Sequence, residues 1–185
     1  MAHTIEIRRA TAADAQGIYN IYRYWEEHYV DAEKTKRFFT LKNPYTVAKI
    51  ERIVAESEAV VAVADGQVVS FYFTNPFFDP GDLAERKAVV ERLIANGTLP
   101  AGRYATCLLS STAEPYQGRG LNAKTLHLLR EISKAKYDYF AGIMAYHNHN
   151  THASSLKMGW KHYGDVGIGL LAIIATDSAN TALHP

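Results

Sequence analysis

Residues 104–124 read YATCLLSSTAEPYQGRGLNAK, a strand-like run that gives way to a glycine-bearing turn and a helix start. The first half, Tyr104 to Thr112, is β-prone and of strand length. In the second half, Gly118 and Gly120 flank Arg119 immediately before a helical pattern. That pattern is apolar at Leu121, Leu128, Leu129, Ile132 and Ala135, with Leu126 beside them, close to a 3.6-residue period. Strand, glycine turn and helix start together present unpaired backbone N–H groups and the positive end of a helix dipole to an anion. Arg119 adds a fork of donors suited to phosphate. The competing reading is an ordinary turn with a solvent-facing arginine, because short glycine motifs also match by chance. No Gly-Lys-Ser/Thr follows, so this is not a Walker sequence. The third glycine and later acidic residue of a dinucleotide fingerprint are missing too.

Outside this stretch the chain bounds its own class. Its 185 residues suit one domain with a sizeable core, and 48% hydrophobic with 21% charged residues describes a globular chain. A net charge of +1 supplies no global attraction to nucleic acid or an anionic membrane, so any anion site is local. The longest apolar run, near Ile168 to Ala175, is far shorter than a membrane span. The start, MAHTIEIRRA, has no signal-peptide core. A single cysteine, Cys107, excludes an internal disulfide framework and suits a reducing compartment, so a cytoplasmic protein is expected. Lying within the strand pattern, Cys107 reads as a buried thiol rather than a nucleophile.

In chain order, Ile5 to Arg9 alternates as a strand, and Thr11 with Asp14 supplies capping chemistry for a helix through Ile18, Ile21, Tyr22 and Trp25. A charged stretch from Asp31 to Asn43 ends at Pro44, and a helix is predicted from about Thr46 to Ser57. Ala59–Ala64 and Gln67–Thr74 read as a hairpin through Asp65-Gly66. Residues 75–102 contain a turn-rich lead and a helix from about Leu83 to Ala95, closed by Asn96-Gly97. Later come a strand within Tyr137–Tyr146, a helix within His147–Leu156, and two strands at Trp160–Gly164 and Ile168–Ile174. Residues 176–185 have little to bury and read as a flexible tail.

Gln117-Gly118-Arg119-Gly120-Leu121-Asn122 resembles the Q/R-x-x-G-x-G/A motif of the GNAT superfamily of acyl-CoA N-acyltransferases. Asn148 through Trp160, NHNTHASSLKMGW, is similar to the family's later segment from an asparagine to Lys-x-Gly-aromatic. Asn122 departs from the motif's small final residue, and Glu114-Pro115 reverses the usual proline-acidic order. The resemblance implies a single-domain α/β (α+β) fold over 1–175, with a mixed, strongly twisted sheet flanked by helices. Against a minimal GNAT fold, 75–102 is a helical insertion. Phe77 and Phe78 within it could cover an acceptor pocket or a dimer contact, or merely pack.

The resemblance also implies a function: transfer of an acyl group, most often acetyl, from CoA to an amine. Acetyl-CoA would enter as co-substrate, with its pyrophosphate at Gln117, Gly118, Arg119, Gly120, Leu121, Asn122 and Ala123. Main-chain groups around Ser110, Ser111 and Thr112 would hold the pantetheine arm and polarise the thioester carbonyl. Asn148 and Ser155 would border the same cofactor. The acceptor is a small-molecule or peptide amine, a homodimer stays open, and neither nucleic acid nor membrane is a partner. Glu26, His28 and His147 are the candidate bases for the attacking amine. Glu26 and His28 lie in an aromatic and acidic cluster, Tyr24 to Tyr29, that could shape an amine pocket or simply end an amphipathic helix. Aromatic residues there and at Tyr72 to Phe78 lean towards a flat, hydrophobic acceptor.

The family's thiolate-protonating tyrosine aligns with Ser155, a much weaker acid. Either Tyr163 or Tyr146 substitutes, the thiolate leaves without a strong acid, or catalysis is slow. Two other classes follow from particular residues. Ser155 keeps open a non-catalytic acyl-CoA-binding or regulatory module. His147, His149 and His152 raise a zinc-dependent hydrolase, but their spacing is not that of H-E-x-x-H, so no metal is expected.

Overall fold

In a computed structural model of the chain, the described residues are 4–28, 45–75, 82–106, 108–144, 148–167 and 169–177. Cys107, Tyr146, His147, Phe77, Phe78, Ile168, the 31–43 stretch and the tail from 178 lie outside them, as do the side chains of His28 and His149.

The elements run β1 (Ile5–Arg9), α1 (Ala15–His28), α2 (Val47–Glu56), β2 (Ala59–Ala64), β3 (Gln67–Thr74) and α3 (Asp82–Ala95). Then follow β4 (Tyr104–Ala105), β5 (Leu108–Thr112), α4 (Leu121–Ser133), β6 (Tyr139–Met144), α5 (His149–Lys157), β7 (Lys161–Asp165) and β8 (Leu170–Ala175). The local signals act where they stand. Thr46 accepts a hydrogen bond from the Lys49 N–H at 3.2 Å to start α2. Asp65 and Gly66, both with positive φ, turn the β2–β3 hairpin.

The expected mixed sheet is divided into two four-stranded halves, ordered β1-β2-β3-β5 and β4-β6-β8-β7. All pairs are antiparallel except β4 with β6. The division falls inside Tyr104–Thr112, which is therefore not the single strand its composition predicts. Before the break the chain pairs with β6, and after it with β3.

β2, AVVAVA, is buried along its whole length because helices cover both of its faces. Ile18, Ile21 and Tyr22 of α1 and Ile50 and Ile53 of α2 pack with Phe71 and Phe73 on one face. Leu126 and Leu129 of α4 pack with Val60, Tyr72, Ala105, Phe140 and Trp160 on the other. Each large side chain removed from water in these layers stabilises the fold by about 1.5–3 kcal/mol. α3, the predicted insertion, buries Val89 and Val90 with Ala141, Ile143, Leu171 and Ile173 of the second half-sheet. It thus covers part of that half-sheet's face. Thr176, assigned to the tail by composition, is fixed: its N–H donates to Asp138 O at 3.0 Å, and only 2% of the residue is exposed.

Candidate active site

The break in the central strand leaves β5 paired on one edge only. The Ala113 N–H donates to Val69 O at 2.9 Å, in phase with the Ser111–Phe71 and Leu109–Phe73 pairs. The alternation of an antiparallel ladder then turns the N–H and C=O groups of Leu108, Ser110 and Thr112 to the opposite edge. Among the described residues no strand pairs with that edge. β5 is half-buried throughout, whereas β2 is buried along its length and its neighbour β3 is buried from Val69 onward. The result is a slot between β5 and β6 bordered by main-chain groups.

The slot leads to the start of α4. Gly118 and Gly120 have φ of 73° and 71°, a region in which a Cβ is strained. A Cβ at either position would meet no heavy atom within 4 Å, so the space above the turn is open. Gly120 is the N-cap of α4 and carries no side-chain cap, and the ladder begins only with Lys124 N–H to Gly120 O at 3.1 Å. The N–H groups of Leu121, Asn122 and Ala123 lie before that first bond. Together they form an anion-binding terminus.

The side chains around this terminus divide the work. Leu121 is 2% exposed and packs with Ala62, Ala64 and Val69, so it anchors α4 to the sheet and presents only its backbone to a ligand. Gln117 and Ala123 are exposed. Arg119 folds back, its guanidinium 4.8 Å from the Tyr116 ring centroid and donating to Pro115 O at 3.1 Å. Asn122 buries its Oδ1 without a hydrogen-bond partner, an unmatched acceptor where the motif calls for a small residue. On β5, the Thr112 hydroxyl bonds Ser70 Oγ at 2.8 Å, and the Thr112 carbonyl accepts from Trp25 Nε1 at 2.9 Å.

The catalytic candidates are dispersed. Glu26 accepts from Tyr22 Oη at 3.1 Å and pairs with Arg23. Its neighbours Tyr24 and Trp25 bond Glu114 and Thr112, at the C-terminal end of β5. His28 ends α1, and its side chain and His147 lie outside the described residues. Tyr163 lies on β7, separated from β4 by β8 and β6, and packs in the α3 layer with Tyr104 and Tyr139. Burial, with Tyr139 nearby, raises its pKa. Asn148 caps α5, its Oδ1 accepting from the Thr151 N–H at 3.1 Å. Ser155 is 3% exposed; its Oγ bonds the His152 carbonyl at 2.8 Å and lies 2.8 Å from His162 Nε2. The structure therefore brings together the main chain of β5 and the cradle of α4, while Tyr163, on β7, stands apart from both. Among the described residues, no group of three His, Cys, Asp or Glu side chains is placed to hold a metal ion, and no helix is long and apolar enough to cross a membrane.

Sequence reasoning missed a pocket of about 290 Å³ at the other end of the break, between α3 and the start of β4. Its lining comes from four separated segments, so no local motif could have marked it.

Compared by sequence, the chain matches no family model and no curated protein. Its fold has solved relatives. The yncA protein of Salmonella typhimurium, solved with its cofactor acetyl-CoA, is 14% identical; the match covers 94% of this chain and 95% of that one, with a TM-score of 0.64. The PaiA N-acetyltransferase of Thermoplasma acidophilum, in complex with coenzyme A, is 13% identical over 93% of this chain and 99% of that one, also at 0.64. An acetyltransferase of the GNAT family from Streptococcus pneumoniae is 12% identical over 93% and 99%, at 0.59. On that likeness, this chain has the fold of the GNAT acetyltransferases.

Proposed function

We propose that the chain is an acyl-CoA-dependent N-acyltransferase that moves an acetyl group from acetyl-CoA to a primary amine. The observation that carries this reading is the pairing of two main-chain donor sets, the open edge of β5 and the uncapped N-terminus of α4 that follows it. Such a pairing suits a long, thin ligand with an anionic end, and the two relatives solved with acetyl-CoA and CoA support that class. Acetyl-CoA, when bound, supplies an activated acyl group. The chain's part is to hold the phosphates at Leu121, Asn122 and Ala123 and to aim the N–H groups of Leu108, Ser110 and Thr112 into the slot. Donors fixed in advance stabilise a developing oxyanion without reorganisation. The attacking amine must lose a proton near neutral pH, for which Glu26, His28 and His147 stay the candidates.

Calorimetric titration with acetyl-CoA and CoA, followed by measurement of thiol release with a panel of primary amines, tests the proposal. Micromolar binding with amine-dependent release of CoA is the expected result, and absence of CoA binding overturns it. One observation favours a second reading, a CoA-binding module without transfer. Ser155 stands where the family's tyrosine aligns, and its hydroxyl already donates a hydrogen bond to the His152 carbonyl. That reading expects CoA binding with no amine-dependent release.

A further inference from the structure

We propose that the pocket between α3 and the start of β4 is the acceptor site, and that it receives a small primary amine carried on an aromatic or aliphatic body. The inference rests on the acyltransferase reading and adds the acceptor's place and class. Its basis is the change of partner by the central strand. Before the break, β4 pairs with β6 and its edge towards the end of β3 is unpaired among the described residues. After the break, β5 pairs with β3, with Leu108 opposite Thr74, and the edge towards β6 is the open one. One chain crossing thus separates two openings. The slot that leads to the α4 cradle lies on one side, and the pocket, bordered by Thr74, Asn75 and Tyr104 to Thr106, lies on the other.

The two openings lie on either side of the break, the pocket at Tyr104 to Thr106 and the slot from Leu108 onward. β5 alone, from Leu108 to Thr112, runs about 13 Å at 3.3 Å per residue, so a phosphate at the cradle is far from the pocket. An extended pantetheine arm spans such a length, and only its reactive end would reach the pocket floor at Ala105 and Thr106. Two reactants held at one point in this way gain much of the rate from proximity.

The lining selects the amine. Val90 and Ile94 of α3 and the rings of Tyr104 and Tyr137 make the walls apolar. The Tyr104 hydroxyl is held by Pro100 O at 2.8 Å, which fixes that ring as a wall. Polar groups gather at the inner end, Thr74, Asn75 and Thr106, all of them buried. At the mouth, Lys87 and Glu91 pair at 3.4 Å and cancel each other's charge. A polyamine needs several carboxylates and an amino acid needs an unpaired cation, and among the described residues this lining offers neither. A volume of about 290 Å³ sits at the small end of ligand pockets, which suits a compact amine and not a folded protein surface. Tyr24 and Trp25 are not this wall, because they contact the far end of β5.

The test is calorimetric binding of 2-phenylethylamine to the full chain with saturating CoA, beside spermidine and glycine. It is repeated with Ile94→Trp, which fills the pocket. It is also repeated with Lys87→Trp, which fills the mouth from a side chain 46% exposed and so leaves the core intact. The expected result is saturable binding of 2-phenylethylamine alone, weakened at least tenfold in both variants, with CoA affinity unchanged. No saturable binding to the wild type, preference for spermidine or glycine, or full affinity in both variants overturns the assignment. Failure of the acyltransferase reading shows separately, as wild-type protein that does not bind CoA; the same amine titration on the free chain then decides the pocket.

Discussion

Ser155 Oγ lies 2.8 Å from His162 Nε2 while it also lies 2.8 Å from the carbonyl oxygen of His152. A carbonyl cannot donate, so the single hydroxyl proton of Ser155 must point to it. Nε2 of His162 is then the donor in the other bond, and the ring is the Nε2–H tautomer. Burial, with His152 second, lowers the His162 pKa, so the neutral ring is the form at pH 7.

Two measurements follow from that pair. Nitrogen-15 NMR of the imidazoles at pH 7 should show His162 protonated at Nε2; an Nδ1–H ring would overturn the assignment. Ser155→Ala removes the acceptor of the half-buried His162 N–H, while the His152 carbonyl keeps its place in the α5 ladder, and should cost about 0.5–1.5 kcal/mol in a urea melt. Because the unfolded ring binds protons more readily than the folded one, the stability His162 contributes is present above about pH 6.5, its unfolded value. It is lost as pH falls through the lower folded value.

The cradle can be tested without straining its turn. Any side chain at Gly120 meets a positive φ, so a loss of affinity there would mix strain with blocked binding. Ala123 is exposed in the first turn of α4, where a carboxylate favours the helix by about 0.3–1 kcal/mol. Ala123→Glu should therefore hold or slightly raise thermal stability while it weakens CoA binding at least tenfold by repelling phosphate. Unchanged CoA affinity would remove the anion from this terminus.

Asp14 gives the clearest acid dependence. Its carboxylate accepts from Arg8 at 2.7 and 2.8 Å and from the Thr11 N–H at 2.7 Å. Burial pushes its pKa up, but the bonds from Arg8 and Thr11 outweigh that and hold it below the ordinary carboxylate range. The stabilisation it adds is complete above its unfolded pKa of about 4 and disappears as pH falls through the lower folded value. Asp14→Asn should cost about 1–3 kcal/mol at pH 7, because Arg8 is part-exposed and water replaces some of the loss. In urea melts the gap between wild type and variant should narrow steadily towards pH 2; a constant gap would mean that the charge is not what stabilises.

The sequence was legible wherever a residue type meets a local backbone demand. Asp65-Gly66 marks its hairpin, Thr46 caps α2, Asn96-Gly97 closes α3, and the glycines before Leu121 mark the α4 terminus, because each condition spans only a few residues. These signals also placed most of the elements and the cradle. Only the tertiary structure decided where Tyr104–Thr112 breaks, since that depends on whether β6 or β3 offers the better edge. It also decided that Leu121 is an anchor, that the Ser155 hydroxyl is already engaged with a neighbouring carbonyl, and that Tyr163 lies away from the slot. The pocket belongs to the same class: β3, α3, β4 and Tyr137 reach it from positions up to 63 residues apart, from Thr74 to Tyr137. Local chemistry carries no record of such a meeting, because it is the packing of layers, not the neighbouring residues, that brings those side chains together.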